Sequence, residues 1–268
     1  MPAQRERQLA YSELQDKMLD ETGRRTKSAK ICAVLEHFLG TNDFSGLTAV
    51  DVGCSVGFTV EALHQRGATA IGVDIDVPGL AKARQRHGSE MHFVCTDSEA
   101  LPWPDESLDL IVFNHIYEHV VDADKAMAEL RRVLKPDGVM YLGLGNRLGV
   151  VEPHYKLPFL SWLPHGGVAD AYVRTMKRAD HYHEQFRTRP GLRKMVAGLN
   201  VFDYSLSVIL DAQAFHATDQ VPGFATKVPR PVIEAASILL PTYIWVATKS
   251  GRRPAGPALQ SAPVPVRA

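Results

Sequence analysis

The sequence predicts an α/β fold built on a mostly parallel sheet of seven strands, with helices on both faces and a helical cap. Three observations predict it. From residue 47 onward short β-rich runs alternate with helix-length amphipathic runs, the pattern of βαβ units. Residues 108–113 (LDLIVF) form a near-continuous apolar run, as expected of a strand buried on both faces. The chain has 268 residues and 45% hydrophobic content, enough to pack one such domain with an added cap.

Taken in order, residues 1–45 predict an N-terminal helical segment. Its start, MPAQRERQLAYSEL, is polar where a secretory signal needs an apolar centre, so a cytoplasmic location is expected. The first strand is 47–52. Val56, Val60 and Leu63 then recur at helical spacing, and Gly67 closes that helix. A second strand (69–74), a helix (77–87), a third strand (91–95) and a fourth (108–113) follow. Asp122 is placed to cap a helix whose apolar positions are Ala126, Met127, Leu130, Val133 and Leu134. Pro136, Asp137 and Gly138 should stop it and turn the chain into a fifth strand at 139–144.

The core unit therefore spans 46–147. Residues 148–200 break the rhythm with prolines at 153, 158, 164 and 190, and predict a cap that receives the acceptor. Residues 201–250 supply two further strands, 202–210 and 243–249, with helical material at 232–240 between them. The stretch 251–268 is rich in Pro and Ala without an apolar period and predicts a disordered tail.

Composition narrows the partners. Thirty basic and thirty acidic residues cancel, and no long basic run is present, which excludes the electrostatic footprint of a nucleic-acid binder. The three cysteines, Cys32, Cys54 and Cys95, contain no CxxC pair, so neither a disulfide framework nor a zinc knuckle is expected. The late apolar stretch 235–247 is too short to cross a bilayer and is interrupted by Pro241, although contact with a membrane surface stays open. A small-molecule partner fits best.

The segment DVGCSVG, Asp51 to Gly57, joins the first strand to a helix, where backbone N–H groups suit an anionic or polar ligand. The dinucleotide fingerprint needs a glycine at its second position, where the backbone meets a pyrophosphate. Here Ser55 stands after Gly53, which disfavours that ligand. Asp51 would repel a pyrophosphate but would accept hydrogen bonds from an ammonium group. Asp74 ends the second strand, 23 residues further on, where a carboxylate can take both hydroxyls of a ribose.

DVGCSVG, then IGVDID at 71–76, FVCTDSEALPWPDESLDLIVFNHIYEHV at 93–120 and LRRVLKPDG at 130–138 together resemble the class I S-adenosylmethionine-dependent methyltransferases, specifically the small-molecule, type 11-like branch. The resemblance covers roughly residues 46–147. It implies a Rossmann-like sheet of order 3-2-1-4-5-7-6 and S-adenosylmethionine as cofactor. It implies that Asp51, Gly53, Cys54 and Gly57 line the methionine end, that Asp74 and Ile75 hold ribose and adenine, and that Asp97 and Ser98 contact the adenine edge. Asn114 would face the methionine part and open towards the acceptor. The cap segment EPHYKLPFLSWLP and the late LLPTYIWVATK are similar, less specifically, to methyltransferases of bacterial cell-surface sugars and lipid-linked intermediates.

Methyl transfer from a sulfonium is an in-line displacement, so positioning and exclusion of water dominate. A hydroxyl acceptor needs a base, and His119 and His115 are the nearest imidazoles. The reading is therefore O-methylation of a small-molecule or lipid-linked acceptor, a sugar hydroxyl or a natural product. Carbon or nitrogen methylation, or cofactor binding without turnover, are the alternatives. HIYEH also matches H-x-x-E-H, a zinc-peptidase string, but that motif needs a helix and here it follows a buried strand. No metal is assigned; the residual metal reading pairs this Glu-His with His181 and His183 of the cap.

Overall fold

The structure is a computed structural model that describes residues 8–9, 20–221 and 228–266. Its centre is an eight-stranded sheet of order β3-β2-β1-β4-β5-β7-β6-β8. The strands are β1 (Thr48–Val52), β2 (Thr69–Asp74), β3 (His92–Cys95), β4 (Leu108–Asn114), β5 (Leu134–Gly145), β6 (Asn200–Asp203), β7 (Thr242–Thr248) and β8 (Val264–Pro265). The first five pair in parallel, while β7 runs antiparallel to both β5 and β6. The expected seven-strand order is present, extended by β8.

Alternation along the strands divides the core between two faces. Val50, Val52, Ile111 and Phe113 share one face with Ala126, Met127, Leu130 and Val133 of α4 (Ala123–Val133) and with the cap residues Leu157, Leu160 and Phe186. Ala49, Leu110 and Val112 face α1 (Glu21–Leu39) and α2 (Phe58–His64) on the other. Helices thus cover both sides, as a parallel sheet demands. α3 (Val77–His87) has the span its sequence predicts, with Asp76 capping Gly79 N–H. Asp122 caps α4 by accepting from the N–H groups of Asp124 and Lys125.

The cap runs from Asn146 through a bridge between Val151 and Pro158, a 3-10 turn at Leu160–Trp162, α5 (Gly167–Thr175) and α6 (Arg189–Met195). Buried Asn146 holds it to the late segment by donating to the carbonyls of Ile238 and Leu240, each at 2.8 Å.

Three expectations are corrected. Residues 202–210 are not one strand: β6 ends at Asp203, whose carboxylate accepts the Ser205 N–H at 2.9 Å and turns the chain into α7 (Ser205–Leu210). Pro136, Asp137 and Gly138 do not precede β5 but lie within it. Leu134 already pairs with Leu108, and the register shifts before Val139 pairs with Leu110. The tail is not a disordered 251–268, because residues 251–266 are ordered against the domain. Ala255 and Gly256 donate to the carbonyls of Phe38 and His37 at the end of α1, Ser261 donates to Asp211, and Val266 donates to Val201. Backbone hydrogen bonds hold it, and those need no apolar period. The helical run at 232–240 becomes α8 (Arg230–Ala236) and a 3-10 turn at Ser237–Leu239. Of the expected N-terminal segment, residues 1–7 and 10–19 lie outside the described residues. No helix among the described residues is long and apolar enough to cross a membrane.

Candidate functional site

β1, β2 and β4 end side by side, and their carboxyl ends open into a cavity of about 450 Å³, within the usual size of a small-molecule site. The loop after β1 is tightly folded. Gly53 sits at φ 79°, and a Cβ there would fall 2.1 Å from Ile116 Cδ1, so only glycine fits. Its N–H and that of Cys54 both donate to Val73 O, and the Ser55 N–H donates to Asp74 Oδ2 at 2.8 Å. Three successive amides are therefore spent inside the protein. The loop has none of them left for a phosphate.

Asp51 is buried, and burial, reinforced by the nearby Asp74 and opposed by Arg24, pushes its carboxyl up to about 7. Such a site favours a cationic ligand that would hold the carboxylate ionised. Asp74 is also raised by burial, against the backbone N–H groups of Asp76 and Ser55 that it accepts. Oδ2 accepts the Ser55 N–H and Oδ1 the Asp76 N–H, and a carboxylate oxygen can accept more than one hydrogen bond. On the cavity's other wall, α1 contributes Arg24, Lys27 and Lys30, and burial followed by Lys27 lowers the Lys30 ammonium to about 8.

Every sequence-predicted site residue except Gly57 lines this cavity: Asp51, Gly53, Cys54, Asp74, Ile75, Asp97, Ser98, Asn114, His115 and His119. Gly57 stands behind it at φ 84°, starting α2 against Phe93. Asn114 lies over Gly143, where a Cβ would meet its Oδ1 at 1.9 Å.

The stretch 115–119 is a turn, with His115 at φ 58°. The helical spacing of a zinc-peptidase string is absent. His115 Nδ1 lies 3.0 Å from Glu118 Oε1, while His119 Nε2 lies 3.1 Å from Nε2 of His154 in the cap. His154 Nδ1 in turn faces Glu152 Oε1 at 2.8 Å. Glu118 and Glu152 are fully buried. Burial alone would raise Glu118, but the imidazoles of His115, His119 and His154 outweigh it and hold it below the usual glutamate range. Burial alone would lower His154, but the Glu152 carboxylate outweighs it and holds the imidazole above the usual histidine range. His181 Nδ1 lies 3.0 Å from Asp170 Oδ2 on α5.

Sequence reasoning missed His154 and the α1 cations as site residues. His154 lies 35 residues after His119, a separation with no local signature. The cap is fastened over the turn by Gln185 N–H to Glu118 O and by Arg187 N–H to the Tyr117 hydroxyl.

Residues 50–142 match the family described as "Methyltransferase domain". Among curated proteins, the chain is 31% identical over 147 residues to a ubiquinone biosynthesis O-methyltransferase of Brucella anthropi, covering 51% of this chain and 58% of that one. It is 33% identical to the protein of that name from Bartonella bacilliformis, covering 46% and 52%. The chain thus spans about half the length of the curated relatives it matches. Among solved structures, an S-adenosylmethionine-dependent methyltransferase of Mesorhizobium loti superposes with a TM-score of 0.53 at 17% identity, covering 76% of this chain and 92% of that one. The cyclase SpnF superposes at 0.51 with 19% identity, covering 86% and 81%. These two show the fold alone. Residues 50–142 thus carry the match to a methyltransferase domain, and the sheet that holds them has the strand order expected of a class I S-adenosylmethionine-dependent methyltransferase.

Proposed function

We propose that the chain transfers a methyl group from S-adenosylmethionine to a hydroxyl oxygen of a small-molecule or lipid-linked acceptor. The observation that carries this is one cavity shared by the Asp51 and Asp74 carboxylates and by the His119 and His154 imidazoles. The residues fit the cofactor. Asp51 suits its ammonium, Asp74 has an acceptor site on each oxygen for the ribose hydroxyls, and the cations of α1 suit its carboxylate. The internally bonded loop amides suit a ligand without phosphates. Asp97 and Ser98 then border the adenine, and Ile75 packs beside it.

When bound, the cofactor supplies an electrophilic methyl group on a sulfonium. The protein's own contribution is to bind the acceptor in line, exclude water and remove the hydroxyl proton. Pro153, His154 and Lys156 bring the cap against the cavity. On this reading the imidazole pair serves as the proton acceptor and Asn114 borders the donor, both supported by their position in the cavity wall. The same cap segment exposes Phe159 and Trp162, 48% and 41% accessible, as an edge-to-face pair at 4.9 Å. That apolar surface favours an amphipathic acceptor and contact with a lipid surface. The curated relatives, by name O-methyltransferases, support oxygen as the target.

The test uses the purified chain, methyl-labelled S-adenosylmethionine and a panel of phenolic, sugar and lipid-linked hydroxyl compounds, with the labelled product located by mass fragmentation. His119→Ala is expected to lower kcat by about 10²–10⁴-fold while leaving donor affinity within a factor of about two. Absence of S-adenosylmethionine binding in calorimetry would overturn the reading. So would transfer to carbon or nitrogen alone.

A further inference from the structure

The charges that line the cavity are sorted by element. Asp51, Asp74 and Asp97 come from the strand ends, whereas Arg24, Lys27 and Lys30 come from α1 and Lys156 from the cap. S-adenosylmethionine carries an ammonium and a sulfonium but a single carboxylate, so it brings one negative charge to these four lining cations. Arg24 is the cation that acts on Asp51, which puts it at the methionine end. The cofactor's carboxylate belongs there. Lys30 and Lys156 line the same cavity and are left for another anion.

Lys30 is half-buried, and among the described residues no carboxylate stands within ion-pair distance of it. Its ammonium donates to the amide oxygen of Gln220, another lining residue, at 2.6 Å, which uses one of its three N–H donors. Burial and then Lys27 work against its charge, and Asp219 alone favours it. A neutral acceptor filling the cavity would strip water from this ammonium and leave it unpaired, which is costly. An anionic group would replace that water with charge-assisted hydrogen bonds.

Lys156 carries the argument from the cap. Its backbone lies in the left-handed region, at φ 58°, which disfavours any residue with a Cβ. The turn holds it there, the Lys156 N–H donating to Glu152 O at 3.0 Å. Strained positions of this kind gather at ligand sites. Here the strain sets an exposed lysine at the cavity, two residues after the His154 imidazole that faces His119. Among the described residues the Lys156 ammonium has neither a hydrogen bond nor an ion pair.

We propose that Lys30 and Lys156 bind an acidic group of the methyl acceptor, a carboxylate or a phosphate, so that the acceptor is a hydroxylated anion. The inference rests on the methyl-transfer reading and narrows its acceptor class. An ammonium is a compact point charge that serves either acid. With the hydroxyl at the imidazole pair and the acid at the lysines, the acceptor is held at two points, which fixes the hydroxyl that is presented to the methyl group. A site built to pair a charged group also rejects the analogue that lacks it, because its own polar groups are then left unpaired.

The experiment is calorimetry on the full-length chain saturated with the demethylated cofactor. The probes are two matched trios, phenol with benzoate and phenyl phosphate, and glucose with glucuronate and glucose 1-phosphate. In at least one trio a charged probe is expected to bind about 10–100-fold more tightly than the neutral one, and the tighter of the two acids names the group. Lys156→Gln and Lys30→Met, which keep the length of the side chain, should each remove most of that preference, and Lys156→Arg should restore it. Melting of each variant establishes that it is folded; a merely structural role would lower Tm and weaken charged and neutral probes alike. Equal binding of charged and neutral probes in both trios overturns the inference. A preference that survives both substitutions overturns it equally. Cofactor affinity is read on the same samples: cofactor binding without a charge preference overturns this inference alone, whereas absence of cofactor binding overturns the methyl-transfer reading beneath it.

Discussion

Asp51 shows how one carboxyl couples ligand binding to pH. Its carboxyl stands at about 7 because it is buried next to Asp74. An ammonium group binds the ionised form, so binding must first displace the proton whenever the pH is below that value. Affinity for S-adenosylmethionine should hold steady above about pH 7.5 and fall by up to tenfold for each unit below about pH 6.5. Calorimetry across that range checks this, and Asp51→Asn should bind weakly with a flat profile. A flat profile in the wild-type chain would remove the ammonium from Asp51. At this scale the sequence was informative where local chemistry suffices: Asp51, Gly53 and Asp74 are legible from strand ends and turn spacing. His154 was not, because its pairing with His119 depends on how the cap folds back, a contact that no local pattern encodes. Nor was the second task of Asp74, holding the Ser55 amide from 19 residues away.

Among the elements, those with a stop signal and a stripe were readable, and those set by tertiary pairing were not. α3 matched its predicted span because Asp76 starts it and Gly88 ends it. Residues 202–210 misled because Phe202, Tyr204 and the β-branched Val208 and Ile209 suit a strand, while the Asx turn at Asp203 decides otherwise. The proline-glycine pair inside β5 misled for the opposite reason: a bulge and a turn use the same residues. The helix start at Asp122 gives a measurable consequence. Asp122→Ala frees the amides of Asp124 and Lys125 and should destabilise the chain by about 1 kcal/mol, lowering Tm by roughly 2–4 °C. Asp122→Ser should restore most of it. An unchanged melt for the alanine variant would mean that packing of Met127 and Leu130 alone sets the start of α4.

The whole molecule is bound together by segments that lie far apart in sequence. Asn146 joins the cap to the last helix and turn, and the tail joins α1 to β6. His37, near the end of α1, bonds both the Tyr204 hydroxyl and Pro257 O. Removing residues 254–268 deletes the bonds to Phe38, His37, Asp211 and Val201 together. At about 0.5–1.5 kcal/mol each, partly offset by water, the truncated chain should melt roughly 5–10 °C lower. Equal Tm for the two chains would show that the tail rests on the surface without holding it.

The two outer strands carry a different consequence. A sheet can recruit a foreign strand wherever its last backbone groups stay open. β3 is guarded by Arg84, which donates to Phe93 O at 2.9 Å. On the other side β8 covers β6 for only two residues, and one of them is Pro265, which has no N–H to offer a further strand. The tail therefore ends sheet growth as well as extending the sheet. Without it, β6 would become a template for self-association, and a chain shortened there should lose solubility with rising concentration even where it stays folded.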